Sequence, residues 1–154
     1  MRRLALDVGE RRVGVAVSDA TGLIATPLTV LRRRSKAEDF ARIARLVREQ
    51  SAGEVIVGLP LRADGSAGPQ ARRIERYAAA LEKALRAEGL DVPLRLWDER
   101  MSTRRAQEAL MAAGRKARRR AQIDAAAAAI ILQDYLDERH PPAGSGGGAL
   151  ENAP

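Results

Sequence analysis

Leu4-Ala5-Leu6-Asp7-Val8-Gly9, followed by Arg11-Arg12-Val13-Gly14-Val15-Ala16-Val17-Ser18-Asp19, is the stretch on which the reading of this chain turns. It describes two short apolar strands joined by a tight, basic, glycine-containing turn. Asp7 stands inside the first strand, where Val, Leu or Ile would pack better. Either it is an edge residue whose carboxylate reaches water or caps a turn, or it is held for a metal ion or a phosphate. The hairpin alone leaves both explanations open.

Outward from the hairpin, residues 23–31 form a third apolar run, with Pro27 marking an edge strand or an irregularity. Three strands with short links predict an antiparallel meander. Ser35-Lys36-Ala37-Glu38 is a capping-box pattern, and Phe40, Ile43, Ala44 and Val47 recur at helical spacing, predicting a helix that ends near Gly53. Residues 55–59 are continuously apolar, as expected of a strand covered on both faces. Pro69 fits the first position of a second helix, with Ile74, Tyr77, Ala78, Leu81 and Leu85 on its inner face and Gly89 as its stop. A strand over 92–97 runs into Asp98-Glu99-Arg100, and Ser102 can cap a helix bearing Ala106, Ala109, Leu110 and Ala113. Residues 115–120 break the pattern and predict a basic mobile loop. From Ile123 the chain is helical again, and the alanines over 125–129 suit a helix lying tight against a sheet. The expectation is a mixed α/β sheet, three antiparallel strands extended by parallel ones and flanked by helices.

At 154 residues and 45% hydrophobic content the chain should form one domain over 1–139, with a disordered Pro/Gly-rich tail over 140–154. The only histidine, His140, falls in that tail and is assigned no chemistry. The absence of cysteine excludes disulfides, thiolate metal sites and cysteine nucleophiles. Asp7 interrupts the first apolar run too early for a signal peptide, and no apolar run approaches the roughly 20 residues of a membrane span, so a soluble cytoplasmic protein is expected. The net charge of +7 favours polyanionic partners, and all but three of the 27 basic residues are arginine, whose planar fork suits phosphate. Codon preference for Arg and Ala would give the same composition.

Three carboxylate positions adjoin apolar sequence: Asp7, the pair Asp98-Glu99, and Asp124. Hard oxygen donors from three separate elements suit Mg²⁺ or Mn²⁺, and two such ions could hold a phosphodiester, activate water and neutralise the leaving oxygen. Each acid has a plainer explanation. Asp124 would serve as a helix N-cap, and Asp98 or Glu99 would pair with Arg100 or Arg104 at the surface. The metal reading requires the three positions to converge. The loop 58–68 offers Arg62, Ser66 and the start of the next helix as a phosphate cradle, or else is an ordinary connection. Arg115, Lys116, Arg118, Arg119 and Arg120 form a charge run that is solvated or steers a polyanion.

These motifs together, Asp7-Val8-Gly9 with Arg12-Val13-Gly14-Val15-Ala16, Gly58-Leu59-Pro60 with Asp64-Gly65-Ser66, Asp98-Glu99-Arg100 with Ser102-Thr103, and Asp124 with Ala126-Ala127 and Ile131-Leu132, resemble the YqgF/RuvX family over residues 3–137. The resemblance implies a ribonuclease H-like fold and a metal-dependent nuclease acting on the 5′ end of pre-16S ribosomal RNA or on Holliday junctions. It implies Asp7, Glu99 (in preference to Asp98) and Asp124 as ligands of Mg²⁺ or Mn²⁺. Arg11, where relatives commonly carry lysine, and Arg62, where an uncharged polar residue is common, depart from the pattern without removing a ligand. With Arg12, Ser66, Arg100 and the basic run they are the expected nucleic-acid contacts. Pre-ribosomal RNA is the leading partner and structured DNA the alternative, the latter requiring a homodimer rather than a monomer. A non-catalytic RNA-binding factor of ribosome assembly would use the basic loops alone. The hairpin also resembles the phosphate-binding hairpin of actin-like ATPases, but those enzymes close two such domains around a nucleotide and this length supplies one.

Overall fold

The computed structural model describes residues 1–99 and 120–139. Its elements are β1 (Arg2–Val8), β2 (Arg12–Ser18), β3 (Ala25–Arg32), α1 (Lys36–Gln50), β4 (Ala52–Leu59), α2 (Pro69–Ala87), β5 (Leu94–Asp98) and α3 (Arg120–Arg139). The strands form one sheet in the order β3-β2-β1-β4-β5. The β1–β2 and β2–β3 pairs are antiparallel, and β1–β4 and β4–β5 are parallel. This is the expected mixed sheet, with β1 in its centre. Pro27 sits on edge strand β3 where its register against β2 slips, so its missing N–H costs no ladder bond.

Alternation along the strands separates two unlike faces. Leu4, Leu6 and Val8 of β1, with Val13, Val15 and Val17 of β2 and Val55 and Val57 of β4, pack against α1 and α2. The opposite face is built from smaller residues, Ala5 and Ala16 beside Ile56, and is covered by Ala128, Ile131, Leu132, Tyr135 and Leu136 of α3. Those α3 positions follow the spacing of one helical face. Gln133 ties the same helix to the sheet edge, its Oε1 accepting from the Ala25 N–H and its Nε2 donating to the Leu23 carbonyl, both at 2.9 Å.

The boundaries differ from expectation in two informative places. Helix α1 starts as predicted, with Ser35 Oγ accepting from the Glu38 N–H at 3.1 Å, but stops at Gln50. Ser51 takes the left-handed conformation (φ 53°) there, leaving Gly53 inside β4. Helix α3 starts at Arg120, so the last residue of the expected basic loop is helical, consistent with the good helix propensity of Arg and Ala. The helix expected after Ser102, the run 115–119 and the tail 140–154 lie outside the described residues. No helix among those described is long and apolar enough to cross a membrane.

Candidate active site

Odd-numbered residues of β1 face α3, which places Asp7 beneath that helix near the strand's C-terminal end. Its partner across the antiparallel ladder is Gly14. A glycine inside a strand often marks a close backbone approach, and here a Cβ on Gly14 would overlap the Asp124 carbonyl group and stand 3.1 Å from the Ala125 nitrogen. Helix α3 therefore rests directly on β2, with Asp124 beside Asp7. The N-cap explanation of Asp124 does not hold, because it is the fifth residue of α3. Asp7 and Asp124 line one cavity of about 700 Å³ together with Gly9, Glu10, Arg11 and Arg12.

Glu99 reaches the same place from the far side of β1. It directly follows β5, and its carboxyl group lies over Gly58 of β4, where a Cβ would collide with Oε1 and stand 2.8 Å from Ile131 Cδ1. The protonated Glu99 carboxyl donates a hydrogen bond to Asp7. Burial, the Asp7 charge and that bond, with a smaller contribution from Asp98, raise Glu99 to about 7. Burial and the Asp124 charge also raise Asp7 above the usual carboxylate range, against the lowering effect of the bond from Glu99. Of the Asp98-Glu99 pair, Glu99 meets Asp7, while Asp98 acts on it through its field.

Three carboxylates from β1, the end of β5 and α3 thus converge, and two share a proton. Among the described residues no group of three ligand side chains stands in ready-made ion geometry. The donor set nevertheless fits a divalent cation. All three groups supply hard oxygens, Gly14 and Gly58 let the Asp124 backbone and the Glu99 carboxyl come in close, and a positive charge joining two adjacent buried carboxyls favours the ionised form of both.

The turn 9–12 forms one wall. The Gly9 N–H donates to the Arg12 carbonyl at 2.8 Å, closing the turn. Arg33, just past β3, fixes it from outside, donating from its backbone N–H to the Arg11 carbonyl and from its guanidinium to the Gly9 carbonyl, each at 2.8 Å. Arg11 and Arg12 consequently stand at the rim of the carboxylate cavity. Arg62 and Ser66 are not brought there. Arg62 lines a separate cavity with Gly68 and Arg72, and the Ser66 hydroxyl donates to Asp64 Oδ1 at 2.6 Å. Arg100, Arg115, Lys116, Arg118 and Arg119 lie outside the described residues, and of Arg120 only the helical backbone is described. Arg33 escaped the sequence reading because bracing depends on the turn of β3 toward β2, which no local pattern signals.

A second polar cluster, also unforeseen, lies under the other end of α3. Glu54 of β4 is 4% exposed and accepts from Arg3 Nε at 2.7 Å, from Tyr135 at 3.0 Å and from Arg95 Nε. Burial pushes the Glu54 carboxyl up, but the bonds from Arg95, Arg3 and Tyr135 outweigh it and hold the group below its ordinary value. This cluster carries its own compensating charge.

Comparison with known proteins follows the same lines. The RuvX family model, described as Holliday junction resolvase, matches residues 1–138. Proteins named "Putative pre-16S rRNA nuclease" are similar along most of the chain. One from Chloroflexus aurantiacus is 48% identical over 137 residues, covering 88% of this chain and 86% of its own. Another from Thermoanaerobacter pseudethanolicus is 41% identical over 141 residues, covering 90% and 98%. Among solved structures, the Thermus thermophilus RuvC complex with a Holliday junction substrate superposes with a TM-score of 0.60 at 21% identity, covering 90% of this chain and 96% of that one. The yeast mitochondrial Holliday junction resolvase gives 0.51 at 12% identity, covering 87% and 77%. At those identities the likeness establishes the ribonuclease H-type fold.

Proposed function

The chain belongs to the RuvX family, and from that premise we propose that it is a divalent-metal-dependent nuclease that processes the 5′ end of pre-16S ribosomal RNA. The supporting observation is the convergence of Glu99 and Asp124 on Asp7, beside a cavity that Asp7 and Asp124 line and whose rim carries Arg11 and Arg12. The names of the similar proteins favour ribosomal RNA as the substrate class.

Asp7, Glu99 and Asp124 would hold Mg²⁺ or Mn²⁺, which when bound supplies positive charge to a phosphodiester oxygen and acidifies a water. Asp7 is the rigid member, pinned in the central strand by ladders on both sides. Glu99 follows the end of an edge strand and gives up its proton when a cation enters. Arg11 and Arg12 sit where a phosphate approaching the carboxylates must pass, and their guanidinium groups offset the repulsion between that phosphate and the acids. Mg²⁺ and Mn²⁺ are interchangeable in this reading because the site offers only oxygen donors.

The test is a thermal melt and a cleavage assay of the same protein with and without Mn²⁺. The reading expects Mn²⁺ to raise the midpoint and to switch on cleavage of an RNA carrying the pre-16S 5′ leader, both effects disappearing in Asp7→Asn. A protein that binds Mn²⁺ yet cuts only four-way DNA junctions would move the substrate to DNA. Undiminished RNA binding with no cleavage under any divalent ion would leave the non-catalytic assembly factor.

A further inference from the structure

The carboxylate cavity does not end at the turn 9–12. Gly9 and Glu10 line it on one side and a second cavity, of about 300 Å³, on the other. That second cavity is bounded by Arg33 just past β3, by Lys36 at the start of α1 and by Arg73 and Arg76 of α2. Arg73 and Arg76 also line a third cavity, of about 370 Å³, with Arg62 and Arg72. The three hollows adjoin in series, the first two sharing Gly9 and Glu10 and the last two sharing Arg73 and Arg76, and so lead from the acids to the start of α2.

Four of the cations along this groove stand outside every ion pair among the described residues. Lys36, Arg72, Arg73 and Arg76 form none of the ion pairs found among the described residues, which instead engage Arg3, Arg34, Arg42, Arg48, Arg86 and Arg95. Arg33 spends its donors on the turn and lies 5.1 Å from the centroid of the Tyr77 ring. Tyr77 lines the groove as well, 3% exposed, and its hydroxyl finds no hydrogen-bond partner among the described residues. Beyond the carboxylate cavity, Glu10 is the one acid among the described residues of the lining.

The start of α2 adds to this surplus. Helix α1 finishes its N-terminus with the Ser35 cap and with Glu38 and Asp39 in its first turn, as the helix dipole favours. Helix α2 has no side-chain cap at Gly68 and no acid in its first turn, and Arg72 and Arg73 follow immediately. Like charge is concentrated where an anion would be stabilised. No ion pair among the described residues relieves it.

We propose that this groove is a phosphate track that holds a single nucleic-acid strand leading away from the carboxylate site, with Lys36, Arg73 and Arg76 as its principal contacts. The inference deepens the nuclease reading and rests on it for direction, since the track starts at the proposed cutting point. A row of cations grips the backbone, and phosphate contacts of that kind are indifferent to sequence.

The experiment measures fluorescence anisotropy of a labelled single-stranded RNA of about ten nucleotides across a salt series, in Ca²⁺ to withhold cleavage. Arg73→Ala/Arg76→Ala is compared with Arg45→Ala/Lys83→Ala, which removes the same charge from exposed positions further along α1 and α2, outside the groove. The groove pair should weaken binding about tenfold and lower the slope of log K against log salt by about 1.4, two single-strand phosphate contacts, while the control pair changes little. Both pairs should melt like the parent, because all four side chains are exposed. Equal losses in the two pairs, or a parent protein that does not bind the RNA, overturn the track. Cleavage of the same RNA in Mn²⁺ is scored separately. A parent that binds through the groove but never cuts refutes the nuclease reading alone, whereas a parent that cuts while the groove pair binds undiminished refutes the track alone.

Discussion

Two clusters of acid lie under α3, on the same face of the same sheet, and their environments have opposite electrostatic signs. At one end Glu54 is surrounded by Arg3, Arg95 and Tyr135 and is held ionised. At the other end Asp7 faces Asp124 and Glu99, and two of these groups resist ionisation. The strands are shared: Arg3 and Asp7 are four residues apart on β1, and Arg95 and Glu99 four apart along and just beyond β5. Burial therefore does not separate structural acid from chemical acid. What separates them is whether the chain supplies the counter-charge or leaves it to something that binds.

The largest effect that can break this contrast is chemical. Asp7→Asn should lower Mn²⁺-dependent cleavage at least about 1000-fold, roughly 4 kcal/mol in the barrier, while circular dichroism and the metal-free melt stay close to the parent. Comparable cleavage by this variant would return Asp7 to a structural role. Glu54→Gln should do the converse. It leaves the Arg3 guanidinium buried without its partner and should cost about 3 to 5 kcal/mol in denaturant unfolding, with the cleavage rate per folded molecule unchanged.

Gly14→Ala is expected next. Its Cβ would enter the space of the Asp124 carbonyl, so α3 must lift from β2 at a cost of about 1 to 3 kcal/mol. Because the lift occurs at the Asp124 end, cleavage should fall more than stability does, and an urea titration run beside the activity assay reads both. The smallest effect concerns pH. Glu99 titrates near 7 in the folded chain against an ordinary 4.5, so metal-free protein is most stable below pH 4.5 on this account and loses that contribution as pH rises to about 7. Glu54, held below its ordinary value, acts with the opposite sign: its contribution is present above pH 4.5 and is lost as pH falls. Glu99→Gln should therefore stabilise the metal-free protein by ~1–2 kcal/mol at pH 8 and do little at pH 4. A stabilisation that does not change with pH would mean that Glu99 is not the group titrating.

The two clusters were not equally legible in the sequence. Asp7 announced itself because it interrupts a strand whose neighbours are all apolar, and Gly14 and Gly58 stand in strands where a glycine implies something lying close. The meander and the alternation of later strands with helices gave the mixed sheet but not the order of its strands, so the meeting of the acids stood as a requirement until the structure brought their strand ends together. Glu54 and Arg3 carried no such mark. Each looks like a polar flank of its strand, and their pairing joins positions 51 residues apart through the parallel β1–β4 register. Local periodicity reports which face a residue takes. It is silent about which charge waits on the neighbouring strand.

The contact between Gly14 and the backbone of Asp124 also acts as a gauge of side-chain length. With helix and strand touching, the distance from α3 to Asp7 is set by the main chain, and the Asp124 carboxylate acts across it from a single methylene. A glutamate at 124 would keep the charge and the chemistry but overshoot a gap that cannot widen without lifting the helix. Reach thus matters at this position as well as charge, which makes Asp124→Glu a harsher change than its chemical similarity suggests.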